Sequence, residues 1–188
     1  LSLSCAQEAG GRTLVVCPSS LKYNWEAEIK KFCPQATCFI CSGQTPAKGI
    51  KGFQILVINY EIVHFWEKVL ASTGFETIVL DESHYVKEKS SIRSKSSYWL
   101  SLFAKNKILL SGTPIENKPI EIWSQCRIID KNVFPSWLLF AKKYNGAVHT
   151  RWGWQMDKAT NCQELNEKLT SKMMIRVKKE EVLKELPP

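Results

Sequence analysis

The chain alternates between short apolar runs and amphipathic stretches. Four runs recur, "TLVVCP" (Thr13 to Pro18), "FQILVINY" (Phe53 to Tyr60), "ETIVLDE" (Glu76 to Glu82) and "KILLSGT" (Lys107 to Thr113), each closing on polar or turn residues. They are continuous and rich in Val, Ile and Leu, as strands buried on both faces of a parallel sheet are. Between them, Leu21, Trp25, Ile29 and Phe32 recur at helical spacing, behind Ser19 and Ser20 as candidate N-caps and ahead of Pro34. Ser90 to Ala104 carries Tyr98, Leu100, Leu102 and Phe103 among serines and basic residues, and Ile120 to Ile129 sets Ile120, Trp123 and Cys126 or Arg127 along one side. Strand and helix in alternation predict right-handed crossovers and an α/β domain.

After about Asp130 the alternation stops. The stretch from Phe134 to Asp157 mixes aromatics, Pro and Gly without a strand period. Asn161 with Glu164 then predicts an N-cap and N3 pair opening a helix through Leu165, Leu169 and Met173. The expected organisation is an α/β lobe over 1–130 and a helical protrusion over 131–188. Trp152 and Trp154 invite a base-stacking role, but in a small helical annex they read as core.

Composition narrows the partners. The chain has 188 residues and 44% hydrophobic content, enough for one domain with a real core. Twenty-six Lys and Arg against eighteen Asp and Glu give a net charge of +8, which suits a polyanionic partner without identifying it. Seven cysteines, an odd number with several inside apolar segments, read as reduced thiols of an intracellular protein. Cys38 and Cys41 have C-x-x-C spacing and Cys33 is near, but no second pair or histidine completes a tetrahedral set, so zinc is not expected. No apolar run approaches the ~20 residues that span a bilayer, and the N-terminus lacks a basic region before an apolar stretch, so no membrane partner is expected.

Candidate chemistry lies in "ETIVLDESHY", where Asp81 and Glu82 leave the end of an apolar run. In open parallel sheets ligands sit beyond the carboxyl ends of the strands, and Ser111, Gly112 and Thr113 leave the next run at the same edge. Phosphoryl transfer needs one carboxylate for hydrated Mg²⁺ and a second group to orient the attacking water. Consecutive residues at a strand end diverge, so an Asp-Glu pair can supply both. Taken alone the four residues are weak evidence, because Asp and Ser also cap helices and acids are favoured in a first turn.

Five blocks taken together say more. "TLVVCPSSLKYNW", "ILVINYEI", "IVLDESHY", "ILLSGTPIENKPIEIW" and "MMIRVKKEEVLKELPP" resemble, in order and spacing, the first motor lobe of the Swi/Snf-type ATPases, the DNA translocase branch of helicase superfamily two. Within that family, "FPSWLLFAKKYNGA", "WGW" and the closing "LPP" are similar to the annealing helicases that remodel stalled replication forks. The resemblance implies a RecA-like parallel sheet with flanking helices in three layers, a C-terminal helical protrusion, and ATP and Mg²⁺ as cofactors. It implies that Asp81 binds Mg²⁺ through water, that Glu82 activates the hydrolytic water, and that His84 relays between nucleotide and DNA. Ser111, where the family more often has Thr, and Thr113 match the motif coupling hydrolysis to DNA movement. Pro18 and Ser19 match positions meeting strand phosphates. Asn59 and Tyr60 match a second DNA-facing block, although Tyr60 reads equally well as buried. Trp25 reads as a packing anchor, and Arg176 lies where the lobe passes into its protrusion. Lys178 and Lys179, beside Glu180 and Glu181, read as a solvated helix face.

One departure stands out: no G-x-x-x-x-G-K-[ST] occurs, so the Walker A phosphate loop and its strand are absent from this chain, as is the second motor lobe. The isolated chain is therefore expected to be inactive towards ATP, and the strand ending at Ser111 to carry an unpaired, sticky edge. The expected function is part of a DNA-dependent ATPase, an annealing helicase or translocase whose partners are duplex or forked DNA and a second lobe. The alternative is a degenerate, inactive lobe that binds DNA or protein. The nucleus is the expected location if the source is eukaryotic, and otherwise the cell interior.

Overall fold

A computed structural model describes residues 11–176. The four apolar runs become β1 (Thr13–Cys17), β3 (Ile55–Asn59), β4 (Thr77–Leu80) and β5 (Asn106–Leu109), and a three-residue strand, β2 (Cys38–Ile40), joins them. All pair in parallel, in the order β2-β3-β1-β4-β5. Every residue of β1, β3 and β4 is buried, whereas β5 is half-buried and pairs only with β4 among the described residues. β2 escapes a reading by apolar runs because it is short, marginal and lies at the opposite edge.

The strand period of two divides the sheet into two apolar faces. Leu14, Val16, Leu56, Ile58, Ile78 and Leu80 point to one face, covered by Val63, Trp66 and Leu70 of α2 (Val63–Ala71), Leu100 of α3 (Ile92–Ser101) and Ile128 of α4 (Ile122–Ile129). Val15, Cys17, Ile55, Val57 and Val79 point to the other, covered by Trp25, Ile29 and Cys33 on or beside α1 (Lys22–Phe32). The result is the expected three-layer α/β sandwich. α1 departs from the expectation at its ends: Phe32 faces solvent while Cys33 turns inward, and Ser19 lies in a short turn, Ser19–Leu21, before α1, with no side-chain cap on the helix. α3 is shorter than the stretch read as helical, so Leu102 and Phe103 are exposed, and its buried face is made largely of serines.

Beyond α4 a second apolar cluster gathers Ile122, Trp123, Cys126, Phe134, Phe140, Tyr144, Leu165 and Leu169 from α4, α5 (Trp137–Asn145) and α6 (Cys162–Lys172). α4 therefore faces two clusters, one on each side. The stretch read as lacking strands holds an antiparallel hairpin, β6 (Val148–Thr150) and β7 (Gly153–Gln155). Its Trp152 is 83% exposed, so it is not core. The expected pairing of Asn161 with Glu164 does not form either. Asn161 adopts a left-handed backbone with φ 50° and its Nδ2 donates to the Lys143 carbonyl, while Glu164 pairs with Lys143. Lys178, Lys179, Glu180 and Glu181 lie outside the described residues.

Candidate active site at the carboxyl edge of the sheet

The site is built by the way β4 ends. The Asp81 N–H still donates to Val16 O of β1 at 2.8 Å, and two residues later the Ser83 N–H donates to Leu110 O, beyond β5, at 2.8 Å. Between these bonds to opposite neighbours, Glu82 takes a left-handed backbone with φ 49° and ψ 53°. A residue with a Cβ adopts that conformation at a cost of order 1 kcal/mol, and such strain concentrates at functional sites. The chain then closes into the turn Ser83–Val86.

Asp81 is held on both carboxylate oxygens. Oδ1 accepts from the Glu82 N–H at 2.9 Å, and Oδ2 accepts from the Trp25 indole Nε1–H at 2.8 Å. Trp25 thus does more than the packing expected of it, since α1 carries it from the turn after β1 to the Asp81 carboxylate. Tyr60 is 1% exposed; its hydroxyl donates to Asp81 O at 2.8 Å and its ring stacks on Tyr85 with centroids 5.3 Å apart. Burial, with the Asp81 and Glu82 charges nearby, pushes the Tyr60 phenol well above its ordinary value, so it is a permanent donor. Asn59 is 5% exposed and donates to Glu61 Oε2 at 2.6 Å. Both side chains are buried at the end of β3, Tyr60 in accord with the buried alternative, and Tyr60 supports the acid from below. Of the other pair expected at DNA, Pro18 is buried and Ser19 is exposed at the sheet edge.

His84 lies at the centre of a polar cluster joining the two strand ends. Its Nδ1 is 3.3 Å from Glu82 Oε2 and 3.4 Å from Ser111 Oγ, and its Nε2 is 4.0 Å from Glu116 Oε1. Ser111 Oγ in turn accepts from the Thr113 N–H at 3.2 Å. Below this cluster Gln125 of α4 bridges both loops: its Oε1 accepts from Ser83 Oγ at 2.8 Å and its Nε2 donates to Pro114 O at 2.8 Å. The structure therefore brings Asp81, Glu82, His84, Ser111 and Thr113 to one edge. Sequence reading missed Gln125 and the polar roles of Trp25 and Tyr60.

Asp81 offers a half-buried, hard oxygen donor, with each oxygen keeping a free lone pair after its one bond. That suits Mg²⁺, which keeps most of its waters and binds through one or two carboxylates together with substrate phosphates. A groove of about 1080 Å³, lined by Ser83 but by neither acid, runs from Ser111 and Thr113 past Gln125 to Leu169 of α6. The C-x-x-C pair lies on and just after β2, three strands away from β4. Burial pushes Cys38 up to about 11 and Cys41 up to about 12, so both are thiols at neutral pH.

A family model described as the SNF2-related domain matches residues 3–188. The chain is 34% identical over 187 residues to the DNA annealing helicase and endonuclease ZRANB3 of Bos taurus, covering 93% of this chain and 17% of that protein. It is 32% identical over 178 residues to the SWI/SNF-related matrix-associated actin-dependent regulator of chromatin subfamily A-like protein 1 of Xenopus tropicalis, covering 93% of this chain and 18% of the relative. The chain thus spans under a fifth of the length of these relatives. Among solved structures, the Sulfolobus solfataricus SWI2/SNF2 ATPase core in complex with dsDNA superposes with a TM-score of 0.77 at 26% identity, over 98% of this chain and 38% of that one. The sheet order, the acids at the end of β4 and a family match running nearly end to end agree: this chain belongs to the SNF2-related family and has the RecA-like fold of its ATPase core.

Proposed function

We propose that the chain is the first motor lobe of an ATP-dependent DNA translocase of the annealing-helicase type. The observation that carries the reading is the end of β4, where Asp81 is fixed on both oxygens while Glu82, one residue on, turns left-handed towards His84. In this reading Asp81 would hold Mg²⁺, and Glu82 would orient the hydrolytic water and take its proton. Bound Mg²⁺ and ATP supply the electrophilic phosphorus and neutralise the charge that develops on it. The chain's residues do the positioning: Trp25 and the Glu82 N–H keep the Asp81 carboxylate in one orientation, and the strained turn sends the two acids in different directions.

His84 and Ser111 link the acid pair to the loop after β5, and Gln125 links both loops to α4, so a change at the acids reaches Thr113 and Pro114 through hydrogen bonds. Ser19, exposed in the turn before α1, is the position we assign to strand phosphates. The partners in this reading are duplex or forked DNA and a second lobe that completes the nucleotide cleft. Nuclear location accords with relatives named as chromatin regulators.

The test is DNA-stimulated phosphate release by the full-length product of the gene encoding this chain. Glu82→Gln is expected to lower turnover by about 10²-fold or more, the usual weight of a general base, with DNA binding retained. Turnover undiminished by that change would overturn the assignment.

A further inference from the structure

The hairpin of β6 and β7 takes no part in the site above. Arg151 and Trp152 form its two-residue tip, with the Arg151 guanidinium 5.0 Å from the Trp152 ring centroid. Trp152 is 83% exposed, Trp154 39%, and His149 packs edge-on against Trp154 at 5.1 Å. The turn itself is tied. Thr150 Oγ1 accepts from the Trp152 N–H at 3.2 Å and donates to Gly153 O at 2.9 Å, and Gly153 has φ 109°, which residues with a Cβ rarely adopt.

Its base is tied as well. Thr160 Oγ1 and Asn161 Nδ2 both donate to Lys143 O, at 2.7 and 2.8 Å, and Asp157 pairs with Lys118 at 2.6 Å. That last pair anchors the return limb to the loop following Ser111 and Thr113. An indole is thus held out in solvent by a braced support beside the carboxyl edge of the sheet. The segment is basic: residues 131–160 contain Lys131, Lys142, Arg151 and Lys158, together with Lys143, which pairs with Glu164, against one acid, Asp157, which pairs with Lys118.

An exposed indole beside a guanidinium, on a basic segment, is the chemistry that stacks nucleobases while the phosphates are neutralised. Bases within an intact duplex have no free face, so the occupant is a strand with unpaired bases. Resting on the DNA reading above, we propose that the β6–β7 hairpin is a stacking site for single-stranded DNA, with Trp152 as platform and Arg151 as its cationic partner.

Fluorescence anisotropy with the 188-residue chain tests this on three labelled probes: an oligothymidine, a blunt duplex, and the same duplex with an oligothymidine tail. Trp152→Ala is expected to weaken the oligothymidine and the tailed duplex by about tenfold and to leave the blunt duplex within about twofold, while Trp152→Phe recovers most of the loss. Because Trp152 lies outside every apolar cluster, melting curves of the variants should coincide with the parent's. If Trp152→Ala leaves the single-strand probes unaffected while the blunt duplex still binds, the stacking site is wrong and the DNA reading stands. If the unaltered chain binds none of the three, both fall.

Discussion

Replacing Trp25 by Phe removes one hydrogen bond and little else. The indole Nε1–H donates to Asp81 Oδ2 at 2.8 Å, and Phe keeps most of the aromatic body that packs beside Ile29. A hydrogen bond to a charged acceptor contributes about 1.5–3 kcal/mol. Asp81 is only half-buried, so water replaces part of the lost bond, and the expected coupling falls to about 1–1.5 kcal/mol. Lost indole volume adds to the raw effect, so the informative quantity is the interaction energy in a cycle of Trp25→Phe, Asp81→Ala and the double variant. Urea unfolding followed by far-UV circular dichroism supplies it. With a slope of about 2 kcal/mol per M, the coupling corresponds to a midpoint shift of roughly 0.5–0.75 M. An interaction energy below about 0.3 kcal/mol, the level at which independent sites simply add, would refute the idea that the indole fixes the carboxylate.

Glu82→Gly should be more stable than Glu82→Ala by about 1 kcal/mol, because only Gly takes φ 49° without strain; equal melting temperatures would mean the turn is unstrained. Iodoacetamide at about pH 8 should alkylate exposed Cys162 well before Cys17, Cys41 and Cys126, whose thiols burial pushes up to about 12. Peptide mapping by mass spectrometry checks this, and early labelling of Cys17 would contradict it. Burial pushes the Glu121 carboxyl up, but the N–H groups of Asn117 and Glu116, donating to Oε2 at 3.1 and 2.8 Å, outweigh it and hold the group below its usual value. Its stabilising effect is therefore full above the ordinary glutamate pKa of about 4.3 and fades as pH falls through the lowered one, so the stability gap between the parent and Glu121→Gln should close on acidification; a gap that persists at about pH 2 would count against it.

The four long strands are legible in the sequence because a strand buried on both faces has to be apolar at every position, and few other structures ask for that. β2 and the β6–β7 hairpin are not legible, since each strand has three residues and no run forms. "WGW" also carries no Asn-Gly or Asp-Gly signal, so the turn through Arg151 and Trp152 gives no warning. At the site, residues adjacent in sequence could be named from their position at strand ends: Asp81, Glu82, Ser111 and Thr113. Their supports could not. Trp25 meets Asp81 across 56 positions and Gln125 meets Ser83 across 42, and nothing local distinguishes an indole that packs from one that also donates. Asn59 and Tyr60 show a related limit, since a polar residue closing an apolar run can turn outward or be roofed over, and here Tyr60 is roofed over by Tyr85.

α4 has eight residues and no independent side. Ile128 belongs to the cluster on the sheet, while Ile122, Trp123 and Cys126 belong to the cluster with α5 and α6. Cutting the polypeptide after Asp130 would leave those three side chains wet, at roughly 1.5–3 kcal/mol for each large one. The protrusion and the lobe are thus poor candidates for separate expression or for exchange between homologues, because the seam between them runs lengthwise through a single helix.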